Sequence, residues 1–259
     1  MRLAHRIDGD QANPTLVLAS SLGTTWELWD VQLPSFVEDF RVIRFDHPGH
    51  GRSPVPEAPV TVESLADGVI ALLDALELER ASFCGLSLGG MVGMALALRA
   101  PERVERLVLC CTAARLGPAE GWYERARVVR TSGMSAIASA VLGRWFTSGF
   151  QERSAVTAAR FREMLEGIPA EGYAACCEAI AVWDARADVS AIRAPTLAIF
   201  GEDDVATTPE DGAALAAAIP GAEIAVLPGC GHLANVEQPA LFSQALLGHL
   251  RVPAVTEAI

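Results

Sequence analysis

A serine lies between two glycines in the segment FCGLSLGGMVG. Ser87 follows Gly85 and precedes Gly89, which is the G-x-S-x-G pattern of a serine held on a sharp turn between a strand and a helix. The pattern has few fixed positions, and a small polar residue at an ordinary strand-to-helix junction would match it as well. A serine hydroxyl is a poor nucleophile without a base. Ser87 is therefore a candidate nucleophile only if the chain also supplies a base, an acid and oxyanion donors.

The base should be a histidine that follows the last strands. His232 meets this condition, because it lies in the Gly-rich segment PGCGHLANVEQP, after an apolar run and before a helix pattern. Structural hydrogen bonds are the expected role of His5, His50 and His249. His47, in the segment FDHPGHGRS, is left open, and Asp46 beside it is expected to organise that loop. His232 is thus the candidate base.

The imidazole of such a base needs a carboxylate that fixes its tautomer and stabilises its charged form. The segment IFGEDDVATTP places Glu202, Asp203 and Asp204 directly after an apolar run. We choose Asp204 by its spacing from Gly201, with Asp203 as the reserve. The resulting order of serine, aspartate and histidine is that of an α/β-hydrolase.

An oxyanion that forms during acyl transfer must be held by backbone N–H groups. In this arrangement one donor is the residue after the nucleophile, here Leu88, and the other comes from the loop after an early strand. That loop is part of the segment ASSLGTTWELWD, and Leu22 is the predicted second donor.

Short β-rich runs that could position these residues recur along the chain, separated by helix patterns. They are Thr15 to Ala19, Arg41 to Phe45, Ala81 to Cys84, Arg106 to Cys111, Thr196 to Phe200 and Glu223 to Leu227. Near-continuous apolar strands that alternate with helices predict an α/β fold with a mostly parallel sheet covered on both faces. One of the helices is expected to begin after Thr61 as its cap.

The alternation stops between about residues 117 and 188, where only helix patterns occur. We expect residues 1–116 and 189–259 to form the two parts of an α/β-hydrolase core, and residues 117–188 to form an inserted helical lid. The alternative is that these helices simply extend the core.

Composition limits the partners and the compartment of the protein. The net charge of -12 disfavours nucleic acid and anionic membrane surfaces, since both require a basic face. The sequence has no run long enough to cross a bilayer and no secretory signal, so we expect a soluble cytoplasmic protein. The six cysteines lack metal-binding spacing and are interpreted as small core residues.

Several segments together resemble the 3-oxoadipate enol-lactonases, which are α/β-hydrolases of aromatic catabolism. The segments are SLGTTWELWD, GLSLGGMVG, CTAARLGP, RWF, EGYAACCEAI and HLANVEQP, and the resemblance covers nearly the whole chain. It implies hydrolysis of a small anionic lactone without a metal or organic cofactor, with Ser87, Asp204 and His232 in the matching catalytic positions.

The chain also departs from that family at three places. Ser20-Ser21 stands where Asn-Ser is usual, His47-Pro48 where Thr-Arg is usual, and Cys111 where Asn is usual. Because the lactone carries a carboxylate, loss of an arginine matters most, and we expect Arg115 or Arg144 to replace it. Trp145 is the candidate for packing on the lactone ring. Another ester, lactone or carbon-carbon bond hydrolase, and a non-catalytic binding protein, stay open as alternatives.

Overall fold

The computed structural model describes residues 2–251 of the chain, and these residues contain one seven-stranded sheet. The strands are β1 (His5–Asp8), β2 (Thr15–Ala19), β3 (Arg41–Phe45), β4 (Ala81–Leu86), β5 (Val104–Cys110), β6 (Thr196–Gly201) and β7 (Glu223–Leu227). Their spatial order is β1-β3-β2-β4-β5-β6-β7, and every neighbouring pair is parallel except β1 with β3. The predicted mostly parallel sheet of an α/β fold is therefore confirmed.

Burial along the strands follows their place in the sheet. Every residue of β2 and β4 is buried, as the apolar runs predict for central strands covered on both faces. Strand β7 lies at an edge and exposes most of its residues. All six cysteines are buried as free thiols, in agreement with their interpretation as core residues.

Helices fill the connections between the strands. They are α1 (Leu33–Phe36), α2 (Val62–Ala75), α3 (Leu88–Arg99), α4 (Ala119–Ser132), α5 (Ser135–Trp145), α6 (Ser148–Arg153), α7 (Ala155–Glu166), α8 (Ala170–Val182), α9 (Pro209–Ala218), α10 (Ala234–Glu237) and α11 (Pro239–Leu250). Helix α2 begins at the predicted cap, where the Thr61 side chain accepts from the Ser64 N–H and the Ser64 side chain accepts from the Thr61 N–H. Among residues 2–251, no helix is long and apolar enough to span a bilayer.

Helices α4 to α8 form one insertion between β5 and β6. Helix α8 reaches the core at Gly172, whose backbone touches that of Gly49: a Cβ built on Gly49 would lie 2.3 Å from the Gly172 Cα. Only a residue without a side chain fits at that contact. The domain boundaries at residues 117 and 188 stay a prediction.

Five parallel strands end at the same edge of the sheet, and four of them lead directly to a candidate residue. The loop after β2 carries Leu22, β4 leads to Ser87, β5 leads to Cys111, β6 leads to Asp204 and β7 leads to His232. Because open α/β sheets bind ligands beyond the carboxyl ends of their strands, this edge is where a site is expected.

Candidate active site

Ser87 occupies a strained turn between β4 and α3. Its backbone angles are φ 57° and ψ −112°, in a region that residues with side chains rarely adopt. Two hydrogen bonds hold the turn: the Ser87 N–H donates to the Cys110 carbonyl at 2.8 Å, and the Thr112 hydroxyl donates to the Ser87 carbonyl at 2.8 Å. Strain of this kind persists only where the surroundings enforce it, and it is typical of functional positions.

The two glycines of the pattern allow this turn to pack closely. A Cβ on Gly85 would lie 2.1 Å from the Gly89 carbonyl oxygen, and a Cβ on Gly89 would lie 2.3 Å from the Ala19 carbonyl oxygen. Both distances are far inside van der Waals contact. The G-x-S-x-G pattern is thus explained here by backbone packing of α3 against β4 and β2.

Asp204 and His232 form a hydrogen-bonded pair. The Asp204 Oδ2 atom lies 2.8 Å from the His232 Nδ1 atom, and both side chains are buried. Since an ionised carboxylate can only accept, Nδ1 carries the proton and Nε2 is left free to act as a base. The Asp204 carboxylate also accepts from the Thr207 hydroxyl at 2.6 Å and from the N–H groups of Ala206 and Thr207.

These contacts keep Asp204 ionised. Burial alone would raise its pKa, but the positive charge of His232 and the hydrogen bonds from His232 and Thr207 together lower the pKa below its usual value. The neighbouring Asp203 is exposed, and its N–H donates to the Cys230 carbonyl at 2.9 Å. The structure therefore brings Asp204, and not the reserve Asp203, to His232.

The two predicted oxyanion donors flank Ser87 in different ways. Leu88 is the first residue of α3, so its N–H has no partner within the helix. Leu22 lines the cavity that contains Ser87 and His232. The next two N–H groups of its loop are already used, since Gly23 donates to the His50 Nε2 atom and Thr24 donates to the Ser21 carbonyl.

Two buried histidines hold that loop. The His47 Nε2–H donates to the Ser20 carbonyl at 2.8 Å, and the His50 Nδ1–H donates to the Pro48 carbonyl at 3.1 Å while its Nε2 accepts from Gly23. Burial lowers the pKa of His47 to about 4 and that of His50 to about 3, so both rings are neutral near pH 7. His47, which the sequence left open, thus has a structural contact, as does His50.

The other residues assigned structural roles also make backbone contacts. The His5 Nδ1 atom lies 3.2 Å from the Leu3 carbonyl, and the His249 Nε2 atom lies 3.2 Å from the Pro195 carbonyl. The Asp46 carboxylate accepts from the N–H groups of Trp26 and Arg52, which organises the loop beside the site.

Cys111 lies next to the acid–base pair. Its Sγ atom, a carboxylate oxygen of Asp204 and a ring nitrogen of His232 lie within 4.8 Å of one another, and these three residue types can hold a metal ion. The Asp204 oxygens are already engaged by His232 and Thr207, however, and burial raises the pKa of the Cys111 thiol. Both facts disfavour metal binding, because a metal requires free lone pairs and a thiolate.

A cavity of about 330 Å³ opens between these loops and the helical insertion. Ser87 and His232 line its floor, and the insertion contributes the predicted residues Arg144 and Trp145. Arg115 is not among the lining residues; its Nε atom lies 3.9 Å from Asp184 Oδ2 at the surface. The expectation that either Arg115 or Arg144 faces the site is therefore met only by Arg144.

Among the cavity residues that sequence reasoning missed are three with polar or aromatic side chains, Trp122, Arg125 and Tyr173. Trp122 and Arg125 are three positions apart in helix α4, which places them on one face of the helix. That spacing was visible in the segment GWYERAR, although nothing local showed which face meets the cavity.

The arrangement contains the parts needed for acyl transfer. A serine lies on a strained turn, a buried carboxylate orients an imidazole through Nδ1, and the loop of Leu22 lines the same cavity as the serine and the imidazole. Such a set can open an ester or a lactone without a redox group.

Comparison with known proteins agrees with this geometry. Residues 14–239 match the family model described as the alpha/beta hydrolase fold. The chain is 40% identical over 238 residues to 3-oxoadipate enol-lactonase 2 of Acinetobacter baylyi, which covers 92% of this chain and 89% of that protein.

Solved structures agree as well. An enol-lactonase from Burkholderia xenovorans superposes with a TM-score of 0.94 at 44% identity, covering 96% of each chain. A thermophilic esterase from Thermogutta terrifontis, in a malate-bound structure, superposes with a TM-score of 0.92 at 30% identity, covering 96% of this chain and 93% of that one. This chain belongs to the alpha/beta hydrolase fold family and, within it, groups with the 3-oxoadipate enol-lactonases.

Proposed function

We propose that the protein hydrolyses 3-oxoadipate enol-lactone to 3-oxoadipate. The observation that carries the proposal is the convergence of Ser87 and the hydrogen-bonded Asp204–His232 pair on one cavity, in a chain similar along most of its length to enol-lactonases.

In the first step the Ser87 hydroxyl attacks the lactone carbonyl carbon while the His232 Nε2 atom takes the hydroxyl proton. The carbonyl oxygen becomes an oxyanion that accepts hydrogen bonds from the N–H groups of Leu22 and Leu88. Asp204 stabilises the imidazolium through the Nδ1 hydrogen bond.

Collapse of this intermediate breaks the ring carbon–oxygen bond. The leaving oxygen belongs to an enol, which is a good leaving group, and His232 returns the proton to it. The enol remains part of the ring-opened acyl group on Ser87 and becomes the ketone by proton transfer. His232 next deprotonates a water molecule that attacks the Ser87 ester, and the proton returns to Ser87 as free acid is released. The cycle needs no metal or organic cofactor.

The helical insertion, residues 117–188, acts in this proposal as a lid that supplies the outer wall of the cavity. Trp145 is buried, lines the cavity and packs edge-on against Phe161 with ring centroids 6.3 Å apart, so its ring is held rigidly where a flat lactone would lie. A cytoplasmic location belongs to the same proposal, and the six free thiols suit a reducing compartment.

The test is an assay of lactone hydrolysis, in which the loss of the lactone is measured by its ultraviolet absorbance. Ser87→Ala should lower kcat by roughly 10³-fold or more, because the covalent route is removed. Ser82→Ala, at a buried serine near the start of the same strand, is the matched control and should turn over normally. Turnover by folded Ser87→Ala at the rate of the control would refute the assignment.

Hydrolysis of a different ester is the second candidate, and similarity to the esterase at 30% identity favours it. A panel of neutral aryl esters beside the lactone separates the two, since an enol-lactonase should have the higher kcat/KM for the lactone. Binding of the lactone without turnover would instead favour a non-catalytic binding protein.

A further inference from the structure

Two arginines of the insertion face the proposed catalytic cavity without a protein counter-ion. Arg125 and Arg144 both line it, and no Asp or Glu is found among the lining residues described. Within residues 2–251, neither guanidinium takes part in an ion pair with a carboxylate. Two other arginines of helix α4 do form such pairs: Arg127 with Glu124, and Arg130 with Glu171 of α8.

The two charges are close enough to repel one another. Partial burial, followed by the positive charge of Arg125, lowers the pKa of Arg144. Acidic residues outnumber basic ones in this protein, 32 to 20, so neighbouring carboxylates are not scarce in the chain. Two unpaired cations at one cavity do not stabilise the fold, and an anion bound between them would relieve their repulsion.

The position of Arg125 is fixed before any ligand binds. Its guanidinium lies 4.6 Å from the centroid of the Trp122 ring, and the Trp122 Nε1–H donates to the Leu116 carbonyl at 2.9 Å. Helix α4 is in turn held on α8 by Arg130, whose Nη2 atom lies 2.7 Å from Glu171 Oε1. Such preorganisation favours a ligand contact, because little side-chain freedom is lost on binding.

Helix α8 contributes the buried Tyr173 to the same wall, and the charges of both arginines act on its hydroxyl. Burial raises the pKa of this hydroxyl, which therefore stays protonated and can donate a hydrogen bond. A carboxylate placed here meets two cations and one neutral donor, in the same cavity that Ser87 lines.

We infer that Arg125 and Arg144 form a paired-guanidinium subsite that binds the carboxylate of the substrate and makes the enzyme selective for anionic lactones over neutral ones. The inference rests on the proposed function for the identity of the lactone, but not for the preference for an anion. The similar family usually has an arginine at the position of Pro48, and the inference assigns the role of that missing positive charge to Arg125 of α4.

The experiment compares the anionic lactone with the methyl ester of its side chain, which is neutral and of similar size. Arg125→Met and Arg144→Met should each raise KM for the anionic lactone roughly 10-fold more than KM for the neutral ester, with a smaller change in kcat. Arg125→Lys should keep part of the discrimination because it keeps the charge. Arg127→Met, on the same helix and outside the cavity, is the matched control and should keep the wild-type ratio.

An unchanged ratio of the two KM values in both folded Met variants would overturn the inference, as would an equal change in Arg127→Met. If wild-type protein does not hydrolyse the lactone, the proposed function fails, and the subsite is then tested separately. Malate or succinate should inhibit hydrolysis of a neutral aryl ester competitively, and the inhibition constant should rise roughly 10-fold in Arg125→Met. Equal inhibition of wild type and variant would overturn the subsite whatever the natural substrate is.

Discussion

The carbonyl oxygen of Trp145 accepts a hydrogen bond from the N–H of Leu233 at 2.9 Å. Trp145 is the last residue of α5 in the helical insertion, and Leu233 directly follows His232. The wall that faces the cavity and the loop that carries the proposed base are therefore joined by a backbone contact. A change at one side of this contact is expected to affect the other.

Glu237 strengthens the same junction and gives the first prediction. Its buried carboxylate accepts from the Gly231 N–H at 2.9 Å, from the Thr147 N–H at 3.1 Å and from the Thr147 hydroxyl at 2.7 Å. Glu237→Ala should lower the free energy of unfolding by about 3 kcal/mol, since it leaves buried donors without partners. It should also lower kcat roughly 10-fold, because the loop of His232 loses its anchor.

Urea unfolding and lactone turnover measure the two effects. Glu237→Gln is the control, because its amide retains an acceptor for the two N–H groups and can donate to the Thr147 hydroxyl. A loss as large in Glu237→Gln as in Glu237→Ala would show that the negative charge, rather than the hydrogen bonds, holds the junction.

The second prediction concerns the acid. Asp204→Asn should lower kcat by roughly 10³- to 10⁴-fold, because the amide favours the wrong imidazole tautomer and gives no stabilisation to the imidazolium. Asp203→Asn should leave kcat within about two-fold of wild type, since that side chain is exposed and does not meet His232. The comparison of kcat for the two variants checks the assignment, and the opposite ranking would transfer the role to Asp203.

The third prediction tests why the residue two positions after Ser87 is glycine. Gly89→Ala should destabilise the protein by about 1–3 kcal/mol and reduce activity, because its Cβ would lie 2.3 Å from the Ala19 carbonyl oxygen and displace the N-terminus of α3. Gly143→Ala, in helix α5 with nothing within 4 Å of its Cβ, should instead stabilise by about 0.5–1 kcal/mol. Thermal unfolding of both variants provides the measurement, and equal shifts would contradict the packing explanation.

The local sequence pattern was sufficient to predict several strands and their bounds. Three strands match the predicted bounds, Thr15–Ala19, Arg41–Phe45 and Glu223–Leu227, because short apolar runs ended by turn residues have few alternatives. The same runs predicted the α/β fold and placed Ser87, Asp204 and His232 after successive strands along the chain.

The remainder depends on tertiary packing. Helix α8 shows little periodicity in the sequence, because most of its residues are apolar and buried and only a narrow stripe with Glu171 and Glu178 is polar. Arg115 lies just before the insertion and Arg125 lies within it. The packing of α4 on α8 brings Arg125 to the cavity and leaves Arg115 outside, which the sequence alone does not show. The bonds of Thr207 and Glu237 to residues of the site likewise have no local signature.

The last prediction is the pH dependence of stability that the buried histidines produce. The pKa of His47 is about 4 and that of His50 about 3 in the folded protein, against 6.5 for an exposed histidine. As the pH falls from 6.5 towards 4, the unfolded chain gains both protons and the folded protein does not, so stability decreases. Asp46 acts in the opposite direction, since burial raises its pKa from 3.8 to about 6 and the folded protein gains that proton first.

Between pH 6 and pH 4 the unfolded chain binds about one proton more at these three groups than the folded protein does. These groups therefore lower the free energy of unfolding by about 1.4 kcal/mol for each pH unit that the pH falls. His47→Gln keeps a donor for the Ser20 carbonyl but cannot ionise, so it should remove about one proton from the difference and lower the slope of the free energy of unfolding against pH by about 1.4 kcal/mol per pH unit. Urea unfolding at a series of pH values measures the slope for both proteins. A slope in His47→Gln equal to that of wild type would mean that His47 is protonated in the folded protein at the same pH as in the unfolded chain.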